Sequence, residues 1–197
     1  MVKNSSLYNN LCRRINDLGS YYLPTHVDPL AKYTRKEEDN IRAYSLLVHA
    51  ELEYYFEDIS RTKAINALNK WLSNHRYNSQ ILLSLSCFVE QTQKIKNKKT
   101  LEEKLRQIVG VFCETIKNNN GIKETNIREL LLPIGVNDID LDSTWLNTLN
   151  SFGSKRGEFA HTGAAVSIVP NHKDIKKDVQ NILGELKTLD KVIKALK

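Results

Sequence analysis

Apolar residues recur at steps of three and four along most of the chain, the spacing that places side chains on one face of an α-helix. The clearest stripe comprises Ile41, Tyr44, Val48, Leu52, Tyr55 and Ile59. It follows Thr34 and Glu37, which have the spacing of a capping box at a helix start. We predict a long helix here, which either continues through residues 65–72 or resumes after a short break near Ser60.

The middle of the chain contains two more helical patterns. Residues 81–89 form an apolar run whose periodicity alone does not separate a buried helix from a strand, and its helical neighbours favour a helix. Thr100 and Glu103 form a second capping box. The helix behind them is expected to end at residues 118–121, where asparagine and glycine tolerate the left-handed backbone of a C-terminal cap.

The last third of the chain shows three further helical segments. We expect a short helix over residues 127–132, a second segment capped by Asp142 or Ser143, and a final helix after Asn171. Strand signals are nearly absent. Short connections between amphipathic helices therefore predict an all-α fold, an antiparallel helical bundle.

Length and composition are those of an ordinary globular protein. At 197 residues, with 41% hydrophobic and 26% charged residues, the chain predicts one domain over residues 1–197. Residues 1–33 are expected to form a short helix and an irregular crossing segment packed on the bundle. No apolar run is long enough to span a membrane, and no signal-peptide pattern opens the chain. We therefore expect a cytoplasmic protein without a membrane partner.

Charge and metal-binding residue types add little. The formal net charge of +6 mildly favours an anionic partner such as RNA. The densest basic run, residues 94–99, is interpreted as a solvated link between helices rather than as a phosphate track. Cys12, Cys87 and Cys113 fit buried, reduced thiols, and the five histidines are scattered. Neither a metal site nor a cofactor is predicted.

Arg156 and His161 are the strongest candidates for chemistry. They lie five residues apart in a stretch that contains Gly153, Gly157 and Gly163. On a continuous helix this spacing is a rotation of about 140°, so the two side chains would not share a face. The glycines suggest a helix junction instead, where a bent backbone brings both side chains to one opening.

These two residue types supply what RNA cleavage by its own 2′-hydroxyl requires. Arginine holds a phosphate and stays charged, while histidine, with a pKa of about 6.5, exchanges a proton near neutral pH. Spacing alone nevertheless favours a simpler interpretation of Arg156 and His161. In that interpretation they are a surface cation beside a capping or buried imidazole.

His49 is a second candidate, together with Glu51 and Glu53. His49 and Glu53 lie on the flank of the long apolar stripe, where a polar group can line a cleft or an interface. The pattern lacks the second histidine of a zinc protease and the cysteine pair of a zinc deaminase. Two interpretations stay open: a packing histidine bonded to a carboxylate, or a residue that supports an active site.

Three blocks of the sequence carry a resemblance to a known family. They are residues 42–53, residues 121–135, and residues 152–162, which read Phe-Gly-Ser-Lys-Arg-Gly-Glu-Phe-Ala-His-Thr. The chain resembles the HEPN superfamily, which is marked by an arginine followed four to six residues later by a histidine. It is most similar to HEPN proteins associated with RNA ligase and phosphatase modules, over most of its length.

The resemblance implies a HEPN-like helical bundle that forms a homodimer, with both motifs meeting across the interface. It also implies a metal-independent endoribonuclease, often a toxin or a phage-defence effector with an antitoxin or defence-system partner. Arg156 would hold the scissile phosphate and His161 would act as general base or acid. Lys155, Glu158 and Thr162, with His49 and Glu53, are predicted to support them.

One position departs from the family pattern. The residue after the family arginine is commonly polar, often asparagine, whereas this chain has Gly157. Glu158 could substitute for it. The departure keeps an alternative open, a catalytically inactive HEPN module that binds RNA or a partner protein.

Overall fold

Helices dominate the structure, a computed structural model that describes residues 3–25, 32–92, 100–161 and 171–197. Side chains are described for all of these except residues 89–92 and 158–161. Within these ranges the chain forms seven α-helices, one 3-10 turn and no strand, so the all-α prediction is confirmed. The helices are α1 (Ser6–Tyr22), α2 (Arg35–Ser73), α3 (Gln80–Thr92), α4 (Leu101–Lys117), α5 (Glu124–Leu131), α6 (Ser143–His161) and α7 (His172–Ala195), and the 3-10 turn is Asp138–Asp140.

Helix α2 is the central element of the bundle. Its 39 residues correspond to a length of about 58 Å, and it contacts each of the other six helices. The capping box at its start is confirmed, because Glu37 N donates to Thr34 Oγ1 and Thr34 N donates to Glu37 Oε2. No break occurs near Ser60, whose side chain is fully buried. The apolar stripe of the sequence is therefore one continuous buried face.

The predicted helices in the middle of the chain are confirmed, with one correction at a cap. Residues 81–89 lie within α3, and Thr100 and Glu103 form the capping box of α4. However, α4 ends on Asn118 with a right-handed backbone at φ −90°. Among the described residues only Gly121, at φ +138°, and Gly135 have positive φ. The turn after α4 is therefore closed by glycine rather than by the asparagines.

Side-chain caps fix the starts of α6 and α7, whereas α5 begins without one. The short helix α5 starts three residues before the predicted boundary. Asp142 caps α6, because its Oδ1 accepts from Trp145 N at 2.8 Å. Asn171 caps α7 by accepting from Lys173 N at 2.8 Å. The alternative cap at Ser143 is thereby resolved in favour of Asp142.

Helix α1 packs against α2 and α7 through its buried stripe of Tyr8, Leu11, Ile15 and Leu18.

Within the described ranges, no helix combines the length and apolar character that a bilayer crossing demands. The prediction of buried cysteines is wrong for Cys87, which is exposed on α3, and Cys12 and Cys113 are partly buried. The basic run of residues 94–99 lies outside the described residues.

A carboxylate of α7 joins the two ends of the described chain. Asp190 is fully buried and accepts hydrogen bonds from Asn4 Nδ2 (3.0 Å), Ser5 N (2.7 Å), Ser5 Oγ (2.5 Å) and Tyr55 Oη (2.8 Å). We call these four residues the Asp190 cluster. A buried carboxylate costs little only when its lone pairs are satisfied, and here both oxygens have two donors. The cluster fixes the start of α1 against α2 and α7.

Candidate active site

The segment that carries Arg156 and His161 is one uninterrupted helix. Helix α6 runs from Ser143 to His161, straight through Gly153 and Gly157. The predicted bend between the two residues is therefore wrong. A glycine inside a helix costs only about 1 kcal/mol, which tertiary packing readily outweighs.

Gly153 lies in a packed position instead of a bend. It is buried, and a Cβ atom there would lie 3.3 Å from Lys123 Cγ, which is tight, and 3.9 Å from His49 Nε2, which is an ordinary contact. The missing side chain thus leaves room for the Lys123 side chain, and Gly153 is a neighbour of His49 of α2. By contrast, a Cβ at Gly157 would have no neighbour within 4 Å.

Arg156 stands one turn further along α6 and is partly exposed. Within the described part of the chain its guanidinium forms no hydrogen bond and no ion pair. It is nevertheless close enough to His49 and Glu53 to influence the pKa of both. The structure therefore brings together Arg156, His49 and Glu53, three of the residues that the sequence predicted.

His49 is a buried and neutral imidazole, with 2% of its surface exposed. Burial lowers its pKa to about 4, and the Arg156 guanidinium contributes in the same direction. Its Nδ1 lies 3.8 Å from Glu53 Oε2, which is too long for a hydrogen bond. At neutral pH His49 carries no charge, so it does not neutralise Glu53.

The pKa of Glu53 is shifted in the opposite direction, upwards. Burial raises the pKa of its carboxyl, and the neighbouring Glu57 carboxylate adds to this effect. The Gly121 backbone and the Arg156 guanidinium oppose the shift. A carboxyl group in this environment holds a proton more readily than usual and so competes less for the positive charge of Arg156.

Glu57 and Asn119 belong to this region and were not predicted. Asn119 Nδ2 donates to Glu57 Oε1 at 3.0 Å and to the Gly121 carbonyl at 3.1 Å, which fixes the loop before α5 against α2. The i, i+4 spacing of Glu53 and Glu57 was the available sequence signal. We call His49, Glu53, Glu57 and Arg156 the Arg156 seam.

The other predicted residues separate into two groups. Lys155 Nζ pairs with Asp178 Oδ2 of α7 at 3.2 Å, and Glu51 pairs with Arg14 of α1 at 3.0 Å, so both connect helices away from the seam. His161 is the last residue of α6. The side chains of His161 and Glu158, and the whole of Thr162, lie outside the described part of the chain. No three metal-binding side chains converge among the described residues.

The match to protein families decides what kind of domain this is. The model of the RiboL-PSP-HEPN family matches residues 7–195, nearly the whole chain. The chain belongs to this HEPN family. All three sequence blocks that carried the resemblance lie inside the match, and the predicted family is confirmed. No curated protein and no solved structure gives a significant match.

Family membership gives the seam its context. Arg156 and His161, the two residues on which the sequence resemblance to the HEPN motif depends, both lie within the family match, and His161 is the last residue of α6. The seam combines a cation that has no ion-pair partner among the described residues, a neutral imidazole and a carboxyl group of raised pKa. Such a set can bind an anion and can accept or release a proton close to it.

Proposed function

We propose that this HEPN domain is a metal-independent endoribonuclease that cleaves RNA by attack of its own 2′-hydroxyl. One observation carries the proposal: the Arg156 guanidinium is partly exposed and has no ion-pair partner within the described chain. A partly buried arginine without a partner is well suited to hold a phosphate, since desolvation strengthens charge-assisted hydrogen bonds.

The reaction needs a base, an acid and a stabilised phosphorane. The base takes the 2′-hydroxyl proton, the 2′-oxygen bonds to phosphorus, and the bond from phosphorus to the 5′-oxygen breaks as the acid protonates that oxygen. The products are a 2′,3′-cyclic phosphate and a 5′-hydroxyl. Arg156 stabilises the charge that develops on the phosphoryl oxygens, and His161 moves a proton as base or acid.

The geometry of α6 supports a site that is shared between two copies of the chain. Arg156 and His161 are five residues apart on one continuous helix, which separates the two positions by a rotation of about 140° around the helix axis. One phosphate contacts both residue types more easily if a second α6 supplies the other member. We therefore propose a homodimer with the two motifs facing each other.

The biological role follows from the family resemblance alone. We propose a toxin or phage-defence effector that acts on cellular RNA in the cytoplasm and is restrained by an antitoxin or defence-system partner. Induced expression of wild type and of His161→Ala compares this role directly. Growth arrest by the wild type alone is expected, and equal growth of both strains contradicts the role.

The enzymatic test is RNA cleavage by purified protein in EDTA. His161→Ala should reduce the rate about 10²–10⁴-fold, the usual contribution of a general acid or base. His75→Ala is the control, because His75 is an exposed histidine that packs against Trp71 of α2. Cleavage products should end in 2′,3′-cyclic phosphate. Equal RNA integrity with wild type and His161→Ala, together with no difference in growth, would reject the proposal.

Gly157 favours a second candidate, a HEPN module that binds RNA or a partner protein without cleaving. It has no side chain where the family commonly has a polar one, and a Cβ atom added there would have no neighbour within 4 Å. RNA binding that survives Arg156→Ala and His161→Ala together, without a phenotype, would support this alternative. Gly157→Asn restores a polar group, and a gain of cleavage would show that the glycine had weakened an active enzyme.

A further inference from the structure

Two carboxyl groups of α2 lie near Arg156, and neither forms an ion pair with it. Glu57 and Arg156 both act electrostatically on Glu53, so the three side chains share one neighbourhood. Arginine usually pairs with a carboxylate that it can reach, because its planar fork matches the two carboxylate oxygens. The absence of a pair here indicates that other contacts hold the carboxyl groups of Glu53 and Glu57.

Asn119, in the turn between α4 and α5, holds Glu57. Its Nδ2 donates to Glu57 Oε1 at 3.0 Å and to the Gly121 carbonyl at 3.1 Å. Its Oδ1 accepts from Asn126 Nδ2 of α5 at 3.1 Å. An asparagine amide has two N–H donors, and both are used here. The Glu57 carboxylate is therefore fixed to a side chain that is itself held from two other directions.

The same turn also reaches Glu53. The Gly121 backbone forms a hydrogen bond to the Glu53 carboxyl group, while the Gly121 carbonyl accepts from Asn119. The backbone of Gly121 has φ +138°, which strongly favours glycine, and a Cβ there would lie 3.4 Å from Asn126 Oδ1. The turn between α4 and α5 thus contacts both carboxyl groups, and Asn119 joins the two contacts.

On the basis of the ribonuclease function proposed above, we propose that Asn119 is a positioning residue of the candidate active site. It holds Glu57 against the turn between α4 and α5, and so leaves the Arg156 guanidinium available to a phosphate of RNA. Without the Asn119 amide, the Glu57 side chain is free to rotate and to pair with Arg156. A carboxylate of the chain then competes with the RNA phosphate for the same cation. Asn119 itself does not contact the RNA.

The test is binding of a 2′-O-methyl RNA, which lacks the attacking hydroxyl, to the full chain, measured by fluorescence anisotropy. Asn119→Ala should weaken binding about threefold to tenfold, the effect of a competing ion pair at a partly exposed site. Asn126→Ala should weaken it by only about twofold, because the bond from Asn119 to Glu57 remains. The matched control is Asn120→Ala, since Asn120 is exposed and its side chain forms no hydrogen bond within the described residues.

A second substitution separates positioning from a merely structural role. Asn119→Ala/Glu57→Gln should bind within about twofold of the wild type, because a neutral amide does not compete for Arg156. Glu57→Gln alone should tighten binding less than it does in the Asn119→Ala background, since coupled residues are not additive. Weak binding by Asn119→Ala that Glu57→Gln does not restore would overturn the proposal. Equal effects of Glu57→Gln in both backgrounds would overturn it as well.

Cleavage of unmodified RNA separates this role from the ribonuclease function. In an active enzyme Asn119→Ala should raise KM more than it lowers kcat, because it removes binding rather than chemistry. If the wild type cleaves RNA and Asn119→Ala matches it in both assays, the positioning role fails and the ribonuclease function stands. If binding follows the expected pattern but the wild type cleaves no RNA, the ribonuclease function fails and the positioning role stands. Absence of RNA binding by the wild type would reject both.

Discussion

Two polar clusters are built on the same helix, α2, and they differ in how completely their hydrogen bonds are satisfied. In the Asp190 cluster the buried carboxylate accepts four hydrogen bonds of 2.5–3.0 Å. In the Arg156 seam His49 and Glu53 stay 3.8 Å apart, and Arg156 has no partner within the described chain. A polar cluster whose hydrogen bonds are all satisfied stabilises the fold. A cluster whose polar groups lack partners keeps its charge and its protons available for a ligand.

The first way to test this contrast is to remove the Asp190 carboxylate, whose hydrogen bonds are all satisfied. Asp190→Ala should lower the free energy of unfolding by about 3–5 kcal/mol, because it leaves the buried Tyr55 hydroxyl and the partly buried donors of Ser5 and Asn4 without this acceptor. Urea unfolding followed by circular dichroism measures the loss. Glu185→Ala, an exposed acid on the same helix, should change stability by less than about 0.5 kcal/mol. Equal effects of the two substitutions would mean that the cluster contributes no special stability.

The second test uses pH on the buried imidazole of the seam. The pKa of His49 is about 4 in the folded state and about 6.5 unfolded, so the unfolded state binds the proton first as pH falls. Its contribution to stability is complete above pH 6.5 and is lost progressively down to pH 4, by up to about 3 kcal/mol. Unfolding free energies at pH 7 and pH 4.5 should therefore differ less in His49→Gln than in the wild type.

Two other groups with shifted pKa values, His172 and Glu53, also affect the pH dependence of stability. The pKa of His172 is also lowered by burial, so His172→Gln should flatten the profile in the same direction. The pKa of Glu53 is raised, so its protonation opposes the loss and makes the net slope smaller. A profile for His49→Gln as steep as that of the wild type would show that His49 is not held neutral by the fold.

The third test asks whether the seam affects activity more than stability. Glu53→Gln removes the carboxyl group beside Arg156 and should lower RNA cleavage about tenfold, which corresponds to about 1.4 kcal/mol in the barrier. Its pH–rate profile should lose the component due to Glu53 protonation, a change that a structural role alone would not cause. Glu51→Gln is the matched control, because Glu51 faces Arg14 instead. Equal activity of both variants would separate Glu53 from the site.

The smallest expected effect compares the two glycines of α6. Gly157→Ala should stabilise the protein by about 0.5–1 kcal/mol, since alanine is the better helix former and the added Cβ meets open space. Gly153→Ala should bring a smaller gain, because its Cβ would lie only 3.3 Å from Lys123 Cγ, and this side chain would have to shift. Thermal unfolding of both variants makes the comparison. A similar gain at both positions would show that the Lys123 side chain shifts without cost.

Local signals explain most of what the sequence predicted correctly. Both capping boxes and the start of α7 at Asn171 depend on residues within one turn, so their geometry follows from sequence spacing. The continuous path of α6 through Gly153 was missed because a contact with α2, distant in sequence, outweighs the weak local preference of glycine. Asp190 did leave a signal, since it lies four residues after Leu186 and three before Ile193, on the apolar face of α7. A carboxylate at a core position implies buried donors, but the sequence does not say which ones.

The Asp190 cluster also has a kinetic consequence. Its bonds join Asn4 and Ser5 to a carboxylate 185 or more residues later, so they close a loop that contains nearly all of the described chain. Loop closure over such a distance is unfavourable until the intervening helices have assembled, so these contacts form late. Interactions that are absent from the transition state govern the unfolding rate. During synthesis, the first turn of α1 can form these bonds only after α7 has emerged from the ribosome.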